Sequence, residues 1–346
     1  PGQSLNALIG LTAARNDARL PVASWGAGTR RLAALEIAAI HQGDEPIIVI
    51  DELERGLEPY RQRRLVARLA TQRSQVFLTT HSASVIDAAS DAMLWYLDAR
   101  GTMGCLTPKT ADHRRADPEA YLARLPIVVE GATEVGFATA LLRRHVAADL
   151  LQEGIVVTDG GGNDTALTLL DALSGAGLAV AGFVDDEGRK PEAWKRVKDR
   201  LGTLLFRWDS GCVEENVIPH IEEMDLERFI TPPDGAAGAR LRTLAVRLGL
   251  EAKDFGTVRD KAPDIRRLIL EAATGAVPAD AAGLSDDDRK AWKKHSRLWF
   301  KTVEGGRELE EKVHSFGVWV ALEPMLSPFL ASVRGFVSGV GITRTS

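Results

Sequence analysis

The chain of 346 residues is poor in cysteine, in tyrosine and in net positive charge, and each shortage removes a class of protein. Two cysteines, Cys105 and Cys212, cannot build a disulfide framework and lack the paired ligand spacing of a zinc finger. They fit a reducing cytoplasm, where both are expected to be buried rather than reactive. The net charge is −5, with a pI of about 5.9, so there is no global attraction for a polyanion. Any nucleic-acid contact must therefore come from local basic patches or bound metal. No run of 18 apolar residues is expected to span a membrane, and no basic stretch followed by an apolar one marks a secretory signal. The sequence opens at Pro1, without Met, on a segment that reads like the middle of a domain, as expected of a piece of a longer protein.

What is present suffices for two ordinary cores: 45% of residues are hydrophobic and 26% charged, with no low-complexity block. We expect two α/β domains, residues 1–122 and 123–346. In the first, the β-branched run 46–51 (PIIVID) reads as a buried parallel strand that delivers Asp51 and Glu52 at its C-terminal end. Such a pair alone is weak, because a strand end with two solvated carboxylates arises often by chance. Its neighbours strengthen it. Upstream, Ser24, Gly26 and Gly28 lie on a glycine turn opening a helix, where free backbone N–H groups and the positive end of the helix dipole suit a phosphate. Downstream, the strand QVFLTT over 75–80 leads to His81.

In that order the segment resembles the ATP-binding cassette ATPases of the SMC and OLD type. The resemblance makes Ser24 to Gly28 the signature motif, Asp51 and Glu52 the Walker B pair, Glu54 to Pro59 the D-loop and His81 the switch histidine. It implies ATP as a ligand of the full-length protein and a homodimer formed through this lobe. No G-x-x-x-x-G-K-[ST] phosphate loop occurs in the chain. This piece is thus expected to hold only the rear half of the lobe and not to hydrolyse ATP by itself.

The second domain repeats a β-α-β-α-β-α-β pattern, with strands expected at 125–129, 154–158, 178–184 and 203–206. That pattern implies an open parallel sheet flanked by helices, with ligands at the carboxyl ends of the strands. The acidic residues fall there: Glu130, Asp159, Asp185, Asp186, Glu187 and, a little after the fourth strand, Glu214. Carboxylates converging on one sheet edge repel one another unless protons or cations neutralise them, and hard oxygen ligands suit Mg²⁺ or Mn²⁺. Two such ions would serve in-line attack on a phosphodiester. Glu134, four residues after Glu130, faces the same place if a helix begins near Gly131.

These residues resemble a Toprim domain, with Glu130 as the glutamate closing the first strand. Asp185, Asp186 and Glu187 stand for its D-x-D, with Glu187 in place of the second aspartate, so Asp186 and Glu187 both remain candidates. A rear-half cassette lobe joined directly to Toprim is the arrangement of the OLD (overcoming lysogenization defect) family, and the resemblance covers most of the chain. It implies a divalent-metal-dependent DNA endonuclease or nickase using two ions, for which Ca²⁺ substitutes without supporting activity. It also makes Glu214 a further acidic site residue and Lys301 the lysine that offsets transition-state charge. Members of the family act in phage defence, some beside a UvrD-type helicase.

Blander alternatives stand beside these. Asp159 with Gly160, Gly161 and Gly162 reads equally well as a tight strand-to-helix turn capped by Asn163 or Asp164. Glu215 reads as a solvated neighbour of Glu214, and Lys301 as a surface lysine. The runs Arg143-Arg144-His145 and Lys293-Lys294-His295 read as solvated faces or as tracks for a DNA backbone. Residues 216–330 read as a helical insert broken at 232–235 and 278–283, with Trp292, Trp299, Phe300 and Trp319 in its core. The tail holding Gly335, Gly339 and Gly341 is expected to fray. The competing functions are a nucleotide-gated DNA clamp with a structural metal, a Toprim ribonuclease, and strand passage. The last is disfavoured because Tyr60, Tyr96 and Tyr121 all precede the second sheet.

Overall fold

The computed structural model describes residues 12–15, 18–21, 24–40, 47–97, 103–232, 238–251, 254–277 and 285–339. Pro46, the breaks at 233–235 and 278–283, and Gly341 lie outside the described residues. The chain forms two compact units, 1–94 with 107–122, and 95–106 with 123–346.

In the first unit, the strands Ile47–Ile50 and Gln75–Leu78 pair in parallel, with the helices Ala27–Ile40, Pro59–Ala70 and Ala83–Ala88 in the same unit. Ile50, Leu53, Leu57, Leu65, Val66, Leu69 and Val85 make its core. The first strand was expected to be buried on both faces; instead Ile47 and Val49 are 66% and 76% exposed, while Ile50 is 4% exposed. Side chains alternate across a strand, and among the described residues Ile47, Val49 and Phe77 are exposed while Ile50 packs into the core.

The second unit is built on a four-stranded sheet in the order Leu205–Arg207, Ala181–Val184, Leu125–Val129, Ile155–Asp159, parallel throughout. Helices Ala132–His145, Asn163–Gly175 and Pro191–Leu201 connect successive strands, giving the α/β architecture read from the sequence. The two central strands are wholly buried, as expected of apolar runs sandwiched between helices. Because the strand beginning at Leu125 is joined first to one side and then, by the next crossover, to the other, the strand order reverses between it and Ala181–Val184. A crevice opens at such a reversal, at the carboxyl ends of the strands.

A further two-stranded sheet, Leu94–Leu97 with Met103–Leu106, belongs from Trp95 onward to the second unit. There the Tyr96 hydroxyl donates to the Ala176 carbonyl at 2.7 Å. The region after Glu214 is mostly helical, and its helix Val303–Ser315 lies along Ala132–His145. The backbones approach closely: a Cβ on Gly136 would collide with the Val303 carbonyl, and one on Gly306 with the Thr133 carbonyl.

Among the described residues, the last helix, Trp319–Val337, is long and apolar enough to cross a membrane by length and composition, although Glu323 and Arg334 interrupt its apolar run. It contains Pro324 and Pro328, and its Leu322, Leu326, Phe329, Leu330 and Val333 are buried in the core of the second unit. It also runs on through Gly335 to Val337, past the point where fraying was expected.

Candidate active site

The chain turns at the end of each central strand place carboxylates at the crevice. After Val129, Glu130 and Gly131 lead straight into the helix at Ala132, so Glu134 sits in its first turn with 4% exposure. After Val184, Asp185 is buried at 6% exposure, and the following loop is fixed by a pair of hydrogen bonds between the backbones of Asp186 and Gly211. That bridge sets up the short helix Val213–Val217, on which Glu214 is completely buried. Glu215, expected to be a solvated neighbour, accepts from the Cys212 N–H at 2.8 Å and closes this helix's N-terminus.

The third contribution is the glycine turn. Asp159 Oδ1 accepts from the Gly161 N–H at 2.8 Å, and the Gly160 and Gly162 N–H groups donate to the carbonyls of Val129 and Glu130. Gly161 and Gly162 have φ of +75° and +105°, a region that favours glycine. The turn therefore delivers Asn163 inward, at 5% exposure. Its side chain, expected as a helix cap, instead donates from Nδ2 to Glu130 Oε2 at 2.9 Å and to the Asp185 carbonyl at 3.2 Å. Asn163 is thus a site residue that the sequence reading missed; its signal was an amide directly after three glycines at a strand end.

Lys301 arrives from 87 residues beyond Glu214 in the sequence. Thr133 Oγ1 donates to the Phe300 carbonyl at 2.9 Å, and the glycine-permitted approach of the helices brings the next residue to the crevice. Its Nζ lies 2.8 Å from Glu214 Oε1, so it is no surface lysine. Behind it, buried Arg240 donates to the carbonyls of Leu298 and Trp299 and to both oxygens of Glu308 at 2.7 and 2.6 Å.

The result is a cleft of about 320 Å³ lined by Glu130, Glu134, Asp159, Asp185 and Lys301 with the backbone of Gly161 and Gly162. Burial raises the Glu130 pKa, with Glu187 adding to it against the lowering hydrogen bond from Asn163. Burial, then repulsion from Glu214, raises Glu134; burial, then the charges of Glu134, Glu130 and Glu214, raises Asp185 further. The Lys301 ammonium is pushed down by burial but carried above its ordinary value by Glu214 and its neighbours. Burial and Glu214 push the Cys212 thiol up, which keeps it unreactive. Asp185 Oδ1, Glu214 Oε2 and Asn163 Oδ1 are buried without a hydrogen-bond donor. A set of oxygen donors with orphaned acceptors fits a hard divalent cation.

The remaining candidates separate. Asp186 turns away from the cleft: Oδ1 is engaged by Arg207 and by the Gly188 N–H. Glu187 is exposed and lies 3.4 Å from Arg189, with its charge still felt at Glu130. Asp159 lines the cleft while holding its own turn.

In the first unit, Thr79 Oγ1 donates to Asp51 Oδ1 at 2.6 Å and accepts from the Glu52 N–H at 2.8 Å. Glu52 has φ +45°, a left-handed conformation uncommon for a side-chain-bearing residue and found at functional turns. Glu54 accepts from the Thr80 hydroxyl and from the His81 N–H at 2.6 and 2.7 Å, so the two strand ends are laced together. Gly28 packs on the Gly56 carbonyl where a Cβ would not fit, and exposed Ser24 donates to the Pro21 carbonyl at 2.7 Å. Gly26 is open on its exposed side.

Residues 6–87 match the model of a family described as an AAA domain, putative AbiEii toxin, type IV TA system. No curated protein matches the chain. Among solved structures, the chain is similar to the C-terminal region of the Burkholderia pseudomallei OLD protein. That match has 15% identity and a TM-score of 0.32, and covers 62% of this chain and 98% of that one. It is likewise similar to the C-terminal region of the Xanthomonas campestris pv. campestris OLD protein phased with platinum. Here identity is 14% and the TM-score 0.31, over 64% and 97% of the two chains. At these values the likenesses carry no functional argument, which rests on the geometry of the cleft; the chain is similar to an AAA domain over residues 6–87 and to OLD C-terminal regions over 62–64% of its length.

Proposed function

We propose that the second unit is a divalent-metal-dependent nuclease. The observation that carries this reading is the convergence of Glu130, Glu134 and Asp185 on one cleft at the sheet's reversal point, with Lys301 as the cation lining it. Glu130, Glu134, Asp185 and Glu187 would hold one or two Mg²⁺ or Mn²⁺ ions, supplying Lewis acidity and a lowered water pKa for in-line attack on a phosphodiester. Asn163 fixes the orientation of Glu130. Glu134, raised by burial, exchanges a proton near neutral pH more readily than an ordinary carboxylate. Lys301 offsets negative charge on the phosphate while Glu214 holds its ammonium in place.

DNA is the substrate we favour. In the longer protein, ATP bound at the cassette lobe would control cutting through homodimerisation, with a UvrD-type helicase as a partner in phage defence. The test is incubation of the chain with supercoiled plasmid, or with RNA, plus Mg²⁺, Mn²⁺ or EDTA. Metal-dependent nicking that is lost in Glu130→Ala supports the reading. An intact plasmid in the presence of bound metal overturns it in favour of a clamp, and cleavage of RNA alone redirects it to a ribonuclease.

A further inference from the structure

The helices Ala132–His145 and Val303–Ser315 run in the same direction, since Thr133 meets Gly306 near their N-terminal ends and His145 meets His314 near their C-terminal ends. The carboxylate cleft lies at the first end. His145 is eleven residues beyond Glu134, about 16 Å along the helix, so what gathers at the second end is separate chemistry.

At that end His145 Nε2 lies 3.4 Å from His314 Nε2, and His314 Nε2 lies 3.1 Å from Glu310 Oε1. The three ligand-capable atoms are all within 4.8 Å of one another. Ligands held about 2.0–2.1 Å from a tetrahedral Zn²⁺ stand about 3.3 Å apart, so two of the three edges already have the length of a coordination tetrahedron. The surroundings hold the ligands in this pose. Trp319 stacks on His145 at 4.2 Å and on His314 at 5.0 Å, which fixes both ring planes and leaves their nitrogen edges facing each other. Arg144 donates to both oxygens of Glu310, at 2.8 and 3.1 Å, orienting a carboxylate that is otherwise buried.

We propose that His145, His314 and Glu310 form a second metal site, for Zn²⁺ or a similar borderline transition metal, which fastens the C-terminal ends of these two helices. Two imidazole nitrogens select such a metal over Mg²⁺, which suits the all-oxygen cleft at the other end. The proposal does not depend on the nuclease reading.

Co²⁺ reports directly, because its visible absorption is strong in tetrahedral coordination and weak in octahedral coordination. The full chain carrying Glu130→Ala and Asp185→Asn, freed of metal with a chelator, is titrated with Co²⁺ and then with Zn²⁺. The expected result is one equivalent of Co²⁺ with a tetrahedral spectrum, displaced by Zn²⁺, and a loss of affinity of at least about tenfold in His145→Asn or His314→Gln. No tetrahedral band, or a band unchanged in both histidine variants, overturns the proposal. If the variants do not fold, acylation of histidine by diethylpyrocarbonate is followed on the unsubstituted chain. Protection of His145 and His314 by Zn²⁺ supports the site, and equal modification with and without Zn²⁺ overturns it.

Discussion

The Asn163 side chain spans the ends of the two central strands, with Nδ2 2.9 Å from Glu130 Oε2 and 3.2 Å from the Asp185 carbonyl. One amide thereby sets both the rotamer of the first carboxylate and the backbone that carries the second. Removing a group that orients a metal ligand costs about 10–100-fold in affinity or activity, so Asn163→Ala is expected to weaken Mn²⁺ binding and cleavage by that range. Isothermal titration with Mn²⁺ beside a plasmid assay checks both. Unchanged binding would mean that Glu130 needs no such support.

The carboxylates of the cleft give the metal-free protein a pH dependence of defined sign. An unfolded carboxyl titrates near pH ~4, whereas burial raises Glu134 to about 7 and Asp185 to about 9 in the folded state. A group whose pKa rises on folding contributes stability below its unfolded value and loses it as pH rises through its folded value. In EDTA, thermal stability is therefore expected to fall from pH 5 to about 9. Glu134→Gln should flatten this slope, and saturating Mg²⁺ should stabilise more strongly at the alkaline end, since the metal replaces the protons. Melting curves across this range provide the check.

Lys301 and Glu214 form a pair of which one member is completely buried. Deleting only the cation strands a buried charge, a change that costs about 3–5 kcal/mol, so Lys301→Met should lower the melting temperature markedly. The double variant Lys301→Met with Glu214→Gln should regain most of that stability yet remain inactive. Recovery of cleavage in the double variant would show that Lys301 acts only as a counter-charge.

Gly306→Ala tests how Lys301 reaches the cleft. The added methyl would meet the Thr133 carbonyl and force the two helices apart. Overpacking of this kind costs about 1–3 kcal/mol. Cleavage should fall further than the stability loss explains, because the displacement moves Lys301 relative to Glu134. Denaturant unfolding and single-turnover kinetics on the same variant separate the two effects.

Glu130 and Asp185 were legible in the sequence because an apolar β-branched run followed at once by an acid puts that acid at the carboxyl end of a buried parallel strand. The different settings of Asp186 and Glu187 were not, since they depend on Arg207, a strand away, engaging Asp186. Asn163 was obscured by the equally good reading of its side chain as a helix cap. The setting of Lys301 is decided by two glycines in different helices, Gly136 and Gly306, whose close approach no local pattern announces. Similarly, the i,i+4 pair Glu310 and His314 is visible in the sequence, but its partner His145 lies 169 residues away from His314.

The most direct measurement compares Asp185→Asn with Asp186→Asn in metal-dependent plasmid cleavage under one set of conditions. Our account predicts that Asp185→Asn loses activity by at least about 100-fold, as for removal of a group on which metal catalysis depends, while Asp186→Asn retains most of it. Equal activity in the two variants, or loss confined to Asp186→Asn, would contradict the assignment of the cleft as the catalytic centre.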